Sequence, residues 1–220
     1  SSKVKTLNQK SNKMLEVPTV NGQVGLDECG RGCLAGPVVA AAVMWDPNLF
    51  LRDTCLFQLE QIKDSKKLSA KRRKELSLFI KQHAHAYAIS FVHPDVIDSK
   101  NILQATYDAM HDCIEQLIIA QEEVAALFID GNRFRPFGNI PHTCVVKGDD
   151  VRLDIAAASI VAKVARDEYM EQMAAQYDDP YDWKNNKGYG TKKHIQAIKD
   201  HGLNHKMHRM SFQLKAFQKT

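Results

Sequence analysis

The chain has 220 residues, 44% of them hydrophobic and 25% charged, with a formal net charge of +4 and a pI near 8.7. That length supports one well-buried core, with at most a small appendage, and the composition is globular rather than disordered. The small positive excess excludes a global polycation wrapped by nucleic acid; no apolar run approaches the roughly 20 residues of a membrane span, and no signal-peptide core opens the chain.

Residues 1–21, rich in Lys, Ser, Asn and Gln, read as a flexible leader, and 22–220 as one folded domain whose last part, about 176–220, is helical. Strand signals come first, at 24–27 and 38–45, where β-branched and small residues dominate. Ser69 then offers an N-cap to a helix with Leu76, Phe79 and Ile80 on its apolar face. An alternating run at 86–92 predicts a strand, and Leu103, Met110, Ile114, Leu117 and Ile118 predict a helix over about 102–120. Short apolar runs at 124–129 and 143–146 fit buried strands. An Ala-rich helix is predicted over 155–173, and Thr191 caps a further helix carrying His194, Ile195 and Ile198. Strands interspersed with helices predict an α/β fold with a mixed sheet. Five cysteines, Cys29, Cys33, Cys55, Cys113 and Cys144, form no CxxC pair and read as reduced thiols of a cytoplasmic protein.

Three of the strand runs lead into acids: Asp27-Glu28, Asp130 and Asp149. Like charges about 4 Å apart repel by about 4 kcal/mol even at an effective dielectric of 20, so such crowding persists only when protons or a cation neutralise it. All-oxygen ligands favour Mg²⁺ or Mn²⁺ over zinc, and two such ions could serve phosphodiester hydrolysis. Singly, each aspartate is better explained by a turn or a cap. Asp150 and Asp154 are competing candidates near Asp149, while Asp178-Asp179 has no strand run ahead of it. Adjacent strand residues point to opposite faces, so Glu28 is expected where the strand bends into the Gly30-Arg31-Gly32 turn.

Several ordered motifs resemble the type 2 ribonucleases H, within them the single-chain bacterial ribonuclease HII family, over about residues 23–213. They are Gly25-Leu26-Asp27-Glu28-Cys29-Gly30-Arg31-Gly32, Asp64-Ser65-Lys66-Lys67-Leu68, Ile129-Asp130-Gly131-Asn132 and Val146-Lys147-Gly148-Asp149. Ala157-Ala158-Ser159-Ile160-Val161-Ala162-Lys163-Val164-Ala165-Arg166-Asp167, Asn186-Lys187-Gly188-Tyr189-Gly190-Thr191 and His208-Arg209-Met210-Ser211-Phe212 continue the series. The resemblance implies a ribonuclease H-like mixed five-stranded sheet flanked by helices, with a helical C-terminal part. It implies four metal ligands, Asp27, Glu28, Asp130 and Asp149, the last preferred over Asp150 and Asp154 because it directly follows Lys-Gly. The implied cofactors are two divalent ions, Mg²⁺ or Mn²⁺, with Asp27 bridging them. It also implies that Gly30, Arg31 and Gly32 read a ribose 2′-hydroxyl and that Tyr189 packs on the following sugar. Cys29 and Met210 depart from residues usual in the family.

The basic residues Lys63, Lys66, Lys67, Lys71, Arg72, Arg73 and Lys74, and Lys184, Lys187, Lys192, Lys193, Lys206 and Arg209, adjoin these motifs and are expected to contact phosphates. Ser159 and Lys163, one helical turn apart, are expected to face the nucleic-acid backbone. The expected activity is endonucleolytic cleavage 5′ to a ribonucleotide in RNA–DNA hybrids or duplex DNA, leaving 3′-hydroxyl and 5′-phosphate ends, by a monomer without membrane contact. The rivals are the related ribonuclease HIII, disfavoured by the roughly 22 residues before the first strand and by the Gly-Arg-Gly turn; a silent hybrid-binding module; and a DNA recombination nuclease.

Overall fold

The computed structural model describes residues 15–51, 56–62 and 68–212. Five strands, β1 (Gln23–Cys29), β2 (Val38–Met44), β3 (Ala86–Val92), β4 (Ala126–Asp130) and β5 (His142–Val145), form one sheet in the order β3-β2-β1-β4-β5. β1, β2 and β3 are antiparallel neighbours, whereas β4 runs parallel to β1 and β5 parallel to β4. The helices are α1 (Leu56–Glu60), α2 (Ala70–His83), α3 (Pro94–Lys100), α4 (Ile102–Ile119), α5 (Leu153–Gln176), α6 (Trp183–Asn186) and α7 (Lys192–His201).

Every residue of β2 is buried, as expected of a strand covered on both faces. Strand alternation sends Val24, Leu26, Ala40, Ala42, Leu127 and Ile129 towards Met110, Cys113, Ile114 and Leu117 of α4. Val39, Ala41 and Val43 point the other way, onto Ala156, Ala157, Ile160 and Val161 of α5, with Leu76 and Ile80 of α2 behind. The C-terminal part shares a third cluster with α5, in which Tyr181, Trp183, Ile198 and Met207 pack against Met170, Ala174 and Ala35. The mixed five-stranded α/β fold expected from the sequence is the one observed.

The caps fall where expected: Ser69 accepts from the Arg72 amide at 3.2 Å, and Thr191 from the His194 amide at 3.2 Å. Three details differ from expectation. Pro94–Lys100 is a helix that no apolar period announces; Asn101 ends it at φ 75° and its side chain caps α4. The helix expected from 155 starts at Leu153 and therefore takes in Asp154. Near the end of the expected leader, Glu16 forms a parallel bridge with Arg152, its amide donating to the Val151 carbonyl at 2.8 Å, while Leu15 packs on the core. Residues 1–14, 52–55, 63–67 and 213–220 lie outside the described residues, and Cys55, Lys63, Lys66 and Lys67 with them.

The first turn of α5 lies directly on β1. A Cβ on Gly25 would stand 2.3 Å from the Asp154 carbonyl carbon and 2.5 Å from the Ile155 nitrogen, both backbone atoms. Gly25→Ala is therefore expected to lose about 1–3 kcal/mol, the usual penalty for overpacking, measured as a lowered urea midpoint. Wild-type stability in that variant would show that the helix can lift off the strand freely.

Candidate active site

The parallel half of the sheet carries the acids to one edge. Leu26 pairs with Ile129 in the β1/β4 register, so Asp27 and Asp130 follow side by side, both on the face that α5 covers. Asp27 is 5% exposed; its Oδ1 accepts the Glu28 amide at 2.7 Å, and the Ser159 hydroxyl of α5 donates to its carboxylate. Burial, then the charges of Glu28 and Asp130, push the Asp27 carboxyl well above the ordinary carboxylate range. Burial also raises Glu28, with Asp130 adding to the shift and Arg31 opposing it.

Asp130 accepts the Gly148 amide at 2.7 Å, and Gly148 opens the short 3-10 turn Gly148–Asp150 that carries Asp149. Asp149 is thereby linked to the group through the backbone next to it. Glu28 does not need the bend expected from the sequence. It remains paired with Ala40 inside β1 and interacts with Asp130 from the strand's last turn of pleat, its Oε1 receiving Arg31 Nη1 at 3.3 Å. Asp154 is set apart: fully buried, it forms a fork with Arg152 at 3.1 and 2.8 Å.

Among the described residues no three His, Cys, Asp or Glu side chains enclose a cation site by themselves. Asp27, Glu28 and Asp130 are in electrostatic contact without closing into a cage. Carboxylates of one sign hold apart. Mg²⁺-type ions need only one or two of them directly, with water and substrate phosphate filling the remaining positions. The oxygen-only donor set suits Mg²⁺ or Mn²⁺.

Beside the acids, the Gly30-Arg31-Gly32 turn is held from beneath by two arginines that are both fully buried. Arg209 donates Nε to the Gly36 carbonyl at 2.9 Å, Nη1 to Arg31 at 2.9 Å and Nη2 to Gly30 at 2.7 Å. Arg166 of α5 donates to the carbonyls of Pro37, Lys187 and Ala35 at 2.9, 2.8 and 2.9 Å. Gly30 sits at φ +91°, where a Cβ would stand 2.1 Å from Arg166 Nε. Glycine is required there twice over, by conformation and by contact. Burial, and the neighbouring Arg166 charge, pull the Arg209 guanidinium down to about 10, which leaves it charged at neutral pH.

Tyr189, 40% exposed as a residue, lies beside the same turn. Its hydroxyl hydrogen-bonds Cys33, and its centroid lies 5.6 Å from Lys163 Nζ and 5.8 Å from Arg166 Cζ. The Tyr189 backbone is fixed by His194, whose Nδ1 meets the Tyr189 carbonyl at 2.9 Å. His194 Nε2 then accepts from Trp183 Nε1 at 3.2 Å and pairs with His208 Nε2 at 3.1 Å, while His208 Nδ1 accepts the Asn204 amide at 2.8 Å. Both rings are satisfied only when neutral, with His194 protonated at Nδ1 and His208 at Nε2.

Some residues expected at the nucleic acid have partners within the chain. Arg209, expected on a phosphate, is buried and saturated by backbone carbonyls. Ser159, expected to face nucleic acid, is 7% exposed and engaged with Asp27. Lys163 is paired with Asp167 at 2.7 Å, and Lys187 with Glu171 at 2.9 Å. The roles of Arg166, His194 and His208 were missed. A signal for Arg166 existed: Ala158, Ala162, Arg166 and Met170 recur in steps of four, so the helical period alone puts the arginine on the buried face.

Two outcomes follow from these titrations. Neutralising one of the crowded acids relieves repulsion, so Asp27→Asn is expected to raise Tm in chelator by about 2–4 °C, equivalent to roughly 1 kcal/mol in a chain of this size. A lowered Tm by calorimetry would mean that the carboxylate is favourably satisfied where it stands. Burial, with the neighbouring histidine adding to it, lowers His208 from 6.5 to about 4, so the unfolded chain binds the extra proton first. Stability from the histidine pair is full above about 6.5 and is lost as pH falls towards 4. Asp27 and Glu28 shift the opposite way, so the decline in Tm is expected most cleanly in an Asp27→Asn, Glu28→Gln background. A flat Tm there between those limits would exclude the neutral pair.

The sequence profile of the family described as Ribonuclease HII matches residues 24–215. Ribonuclease HII of Parabacteroides distasonis is 48% identical over 198 residues, covering 90% of this chain and 93% of that protein. The Bacteroides thetaiotaomicron enzyme is 47% identical over 192 residues, covering 87% and 90%. Among solved structures, ribonuclease HII of Archaeoglobus fulgidus, determined in complex with PCNA, superposes with a TM-score of 0.68 at 24% identity over 90% of this chain and 97% of that one. Bst-RNase HIII in complex with Mn²⁺ gives 0.66 at 20% identity over 90% and 70%; these two likenesses concern the fold. The chain belongs to the ribonuclease HII family, and it is a hydrolase of the ribonuclease H type, an endonuclease acting on RNA in hybrids.

Proposed function

We propose that this enzyme cuts RNA–DNA hybrids and also single ribonucleotides embedded in duplex DNA, on the 5′ side of the ribonucleotide, leaving 3′-hydroxyl and 5′-phosphate ends. It acts as a monomer in the cytoplasm, in ribonucleotide removal from DNA, with two divalent ions, Mg²⁺ or Mn²⁺. The observation that carries this reading is the register that seats Asp27 beside Asp130 on neighbouring parallel strands, with Glu28 in electrostatic reach. No helix among the described residues is long and apolar enough to cross a membrane.

Asp27, Glu28, Asp130 and Asp149 would hold the ions, and the raised protonation of Asp27 and Glu28 supports a site built for positive charge. The chemistry such ions supply is Lewis acidity towards the attacking water and the leaving oxygen. The protein's own contribution is orientation. Ser159 and the Glu28 amide fix Asp27, and the Gly148 amide fixes Asp130. At Gly32 the 30–32 turn would let a ribose approach the backbone closely, since a Cβ there would meet nothing within 4 Å. The exposed face of Tyr189 gives a sugar a flat packing surface, with the Lys163 ammonium at its edge. Mn²⁺ bound to Bst-RNase HIII, a protein of the same fold, is in keeping with the ion class.

The decisive assay is a DNA duplex carrying one ribonucleotide, incubated with Mg²⁺, Mn²⁺ or chelator, with the product ends mapped. Asp130→Asn is expected to lose at least about 100-fold in rate, the scale of about 2.7 kcal/mol of transition-state stabilisation, while duplex binding stays within a few-fold. Equal loss of folding and binding would make Asp130 structural, and cleavage of an all-DNA duplex would defeat the substrate assignment. Arg31→Ala and Tyr189→Ala are each expected to lower kcat/KM at a lone ribonucleotide about tenfold more than on a long hybrid, the worth of one hydrogen-bond-sized contact. An unchanged ratio removes them from recognition.

A further inference from the structure

The 30–32 turn has a definite polarity. Arg209 draws the carbonyls of Gly30 and Arg31 inward, at 2.7 and 2.9 Å, from a fully buried position. The Gly30 carbonyl shares a peptide unit with the Arg31 amide, and the Arg31 carbonyl with the Gly32 amide. Every peptide bond among the described residues is trans, and in a trans unit the C=O and N–H point in opposite directions. Both amides are therefore aimed away from the buried guanidinium, towards the exposed side where Arg31 and Gly32 lie. Among the described residues neither amide has a hydrogen-bond acceptor within the chain. Two adjacent, outward-pointing donors form a small concavity suited to an oxygen acceptor.

The second arginine extends the same unit. Arg166 holds the carbonyls of Ala35 and Pro37 behind the turn and that of Lys187 before Tyr189. Gly188 closes the remaining gap: its carbonyl accepts the Leu34 amide at 2.8 Å, and a Cβ on it would stand 2.4 Å from the Ala35 oxygen. The Arg209 amide itself donates to the Leu34 carbonyl at 2.9 Å. The turn and the Tyr189 segment, far apart in sequence, are thus tied through a common pair of guanidinium groups.

We propose that Arg209 and Arg166 are specificity-determining positioning residues: Arg209 sets the peptide planes of 30–32 so that the Arg31 and Gly32 amides face a ribose oxygen, and Arg166 keeps that donor pair in fixed register with the Tyr189 ring. Neither arginine touches substrate. The inference rests on the assignment of the turn and Tyr189 as substrate readers, and its test separates the two ideas.

The test uses full-length wild type, Arg209→Met, Arg209→Lys and Arg166→Lys, all checked for a cooperative thermal transition. Hydrogen–deuterium exchange of 30–36 and 187–190 reads the positioning directly. Arg209→Met is expected to speed exchange in 30–36, and Arg166→Lys in both segments, with β1 and β4 unchanged. Binding in chelator to a DNA duplex with one ribonucleotide, against the same duplex without it, reads the consequence. The preference for the ribonucleotide is expected to fall at least tenfold in Arg209→Met while all-DNA binding stays within twofold, and Arg209→Lys, which keeps a cation and some donors, should recover part of it. Unaltered exchange in both segments overturns the positioning claim whatever the wild-type preference. Faster exchange with an intact preference overturns the specificity claim. If Arg209→Met does not fold, Arg209→Lys and Arg166→Lys carry the same comparison. A wild type with no ribonucleotide preference refutes the reader assignment instead, and leaves the exchange result to decide the positioning.

Discussion

The constraint on which the rest depends is electrostatic: the carboxylates of Asp27, Glu28 and Asp130, from two distant parts of the chain, stand together at the ends of neighbouring strands, and the most buried of them, Asp27, cannot ionise comfortably in that company. The parallel pairing of β1 with β4 and β4 with β5 produces the crowding, because parallel strands bring their C-terminal ends to the same side. An antiparallel neighbour would have sent Asp130 to the opposite edge. The fold therefore holds acids that a typical core would expel, and it gives Asp27 and Asp130 local donors, the Ser159 hydroxyl and the Glu28 and Gly148 amides. Such an arrangement is stable enough to persist and still receptive to positive charge.

The opposite strategy appears a few residues away. Arg166 and Arg209 are buried without a carboxylate fork, their charge spread over backbone carbonyls of the 30–37 and 187–190 segments. A guanidinium suits this use because its planar donors reach several oxygens at once, which an ammonium does less well. The site is thus assembled from acids held by donors and loops held by cations, with α5 supplying to both: Ser159 to the first and Arg166 to the second.

Much of this was legible in the sequence, and the physical reasons differ by element. Caps at Ser69 and Thr191 are local chemistry and were readable as such. The strand ends bearing Asp27 and Asp130 followed from apolar runs bounded by turn residues. Long-range packing was not legible. Nothing in the composition of 205–212 distinguishes Arg209, which is buried, from Lys206, which is exposed. The neutral pairing of His194 with His208 depends on contacts between residues 14 apart that no period encodes. Ser159 looked outward because its neighbour Lys163 is polar, yet the close approach of α5 to Gly25 draws that face onto β1. Glu28 required no bend: it stays paired with Ala40 within β1 and still interacts electrostatically with Asp130.

The small-residue seam of α5 has a wider consequence. Ala156, Ala157, Ala158 and Ala162 are all fully buried and let the helix lie close to the sheet. Enlarging any one would tilt a single rod that bears Ser159 near one end and Arg166 two turns later. On the roles proposed above, chemistry and discrimination would then deteriorate together, from a lesion remote from either.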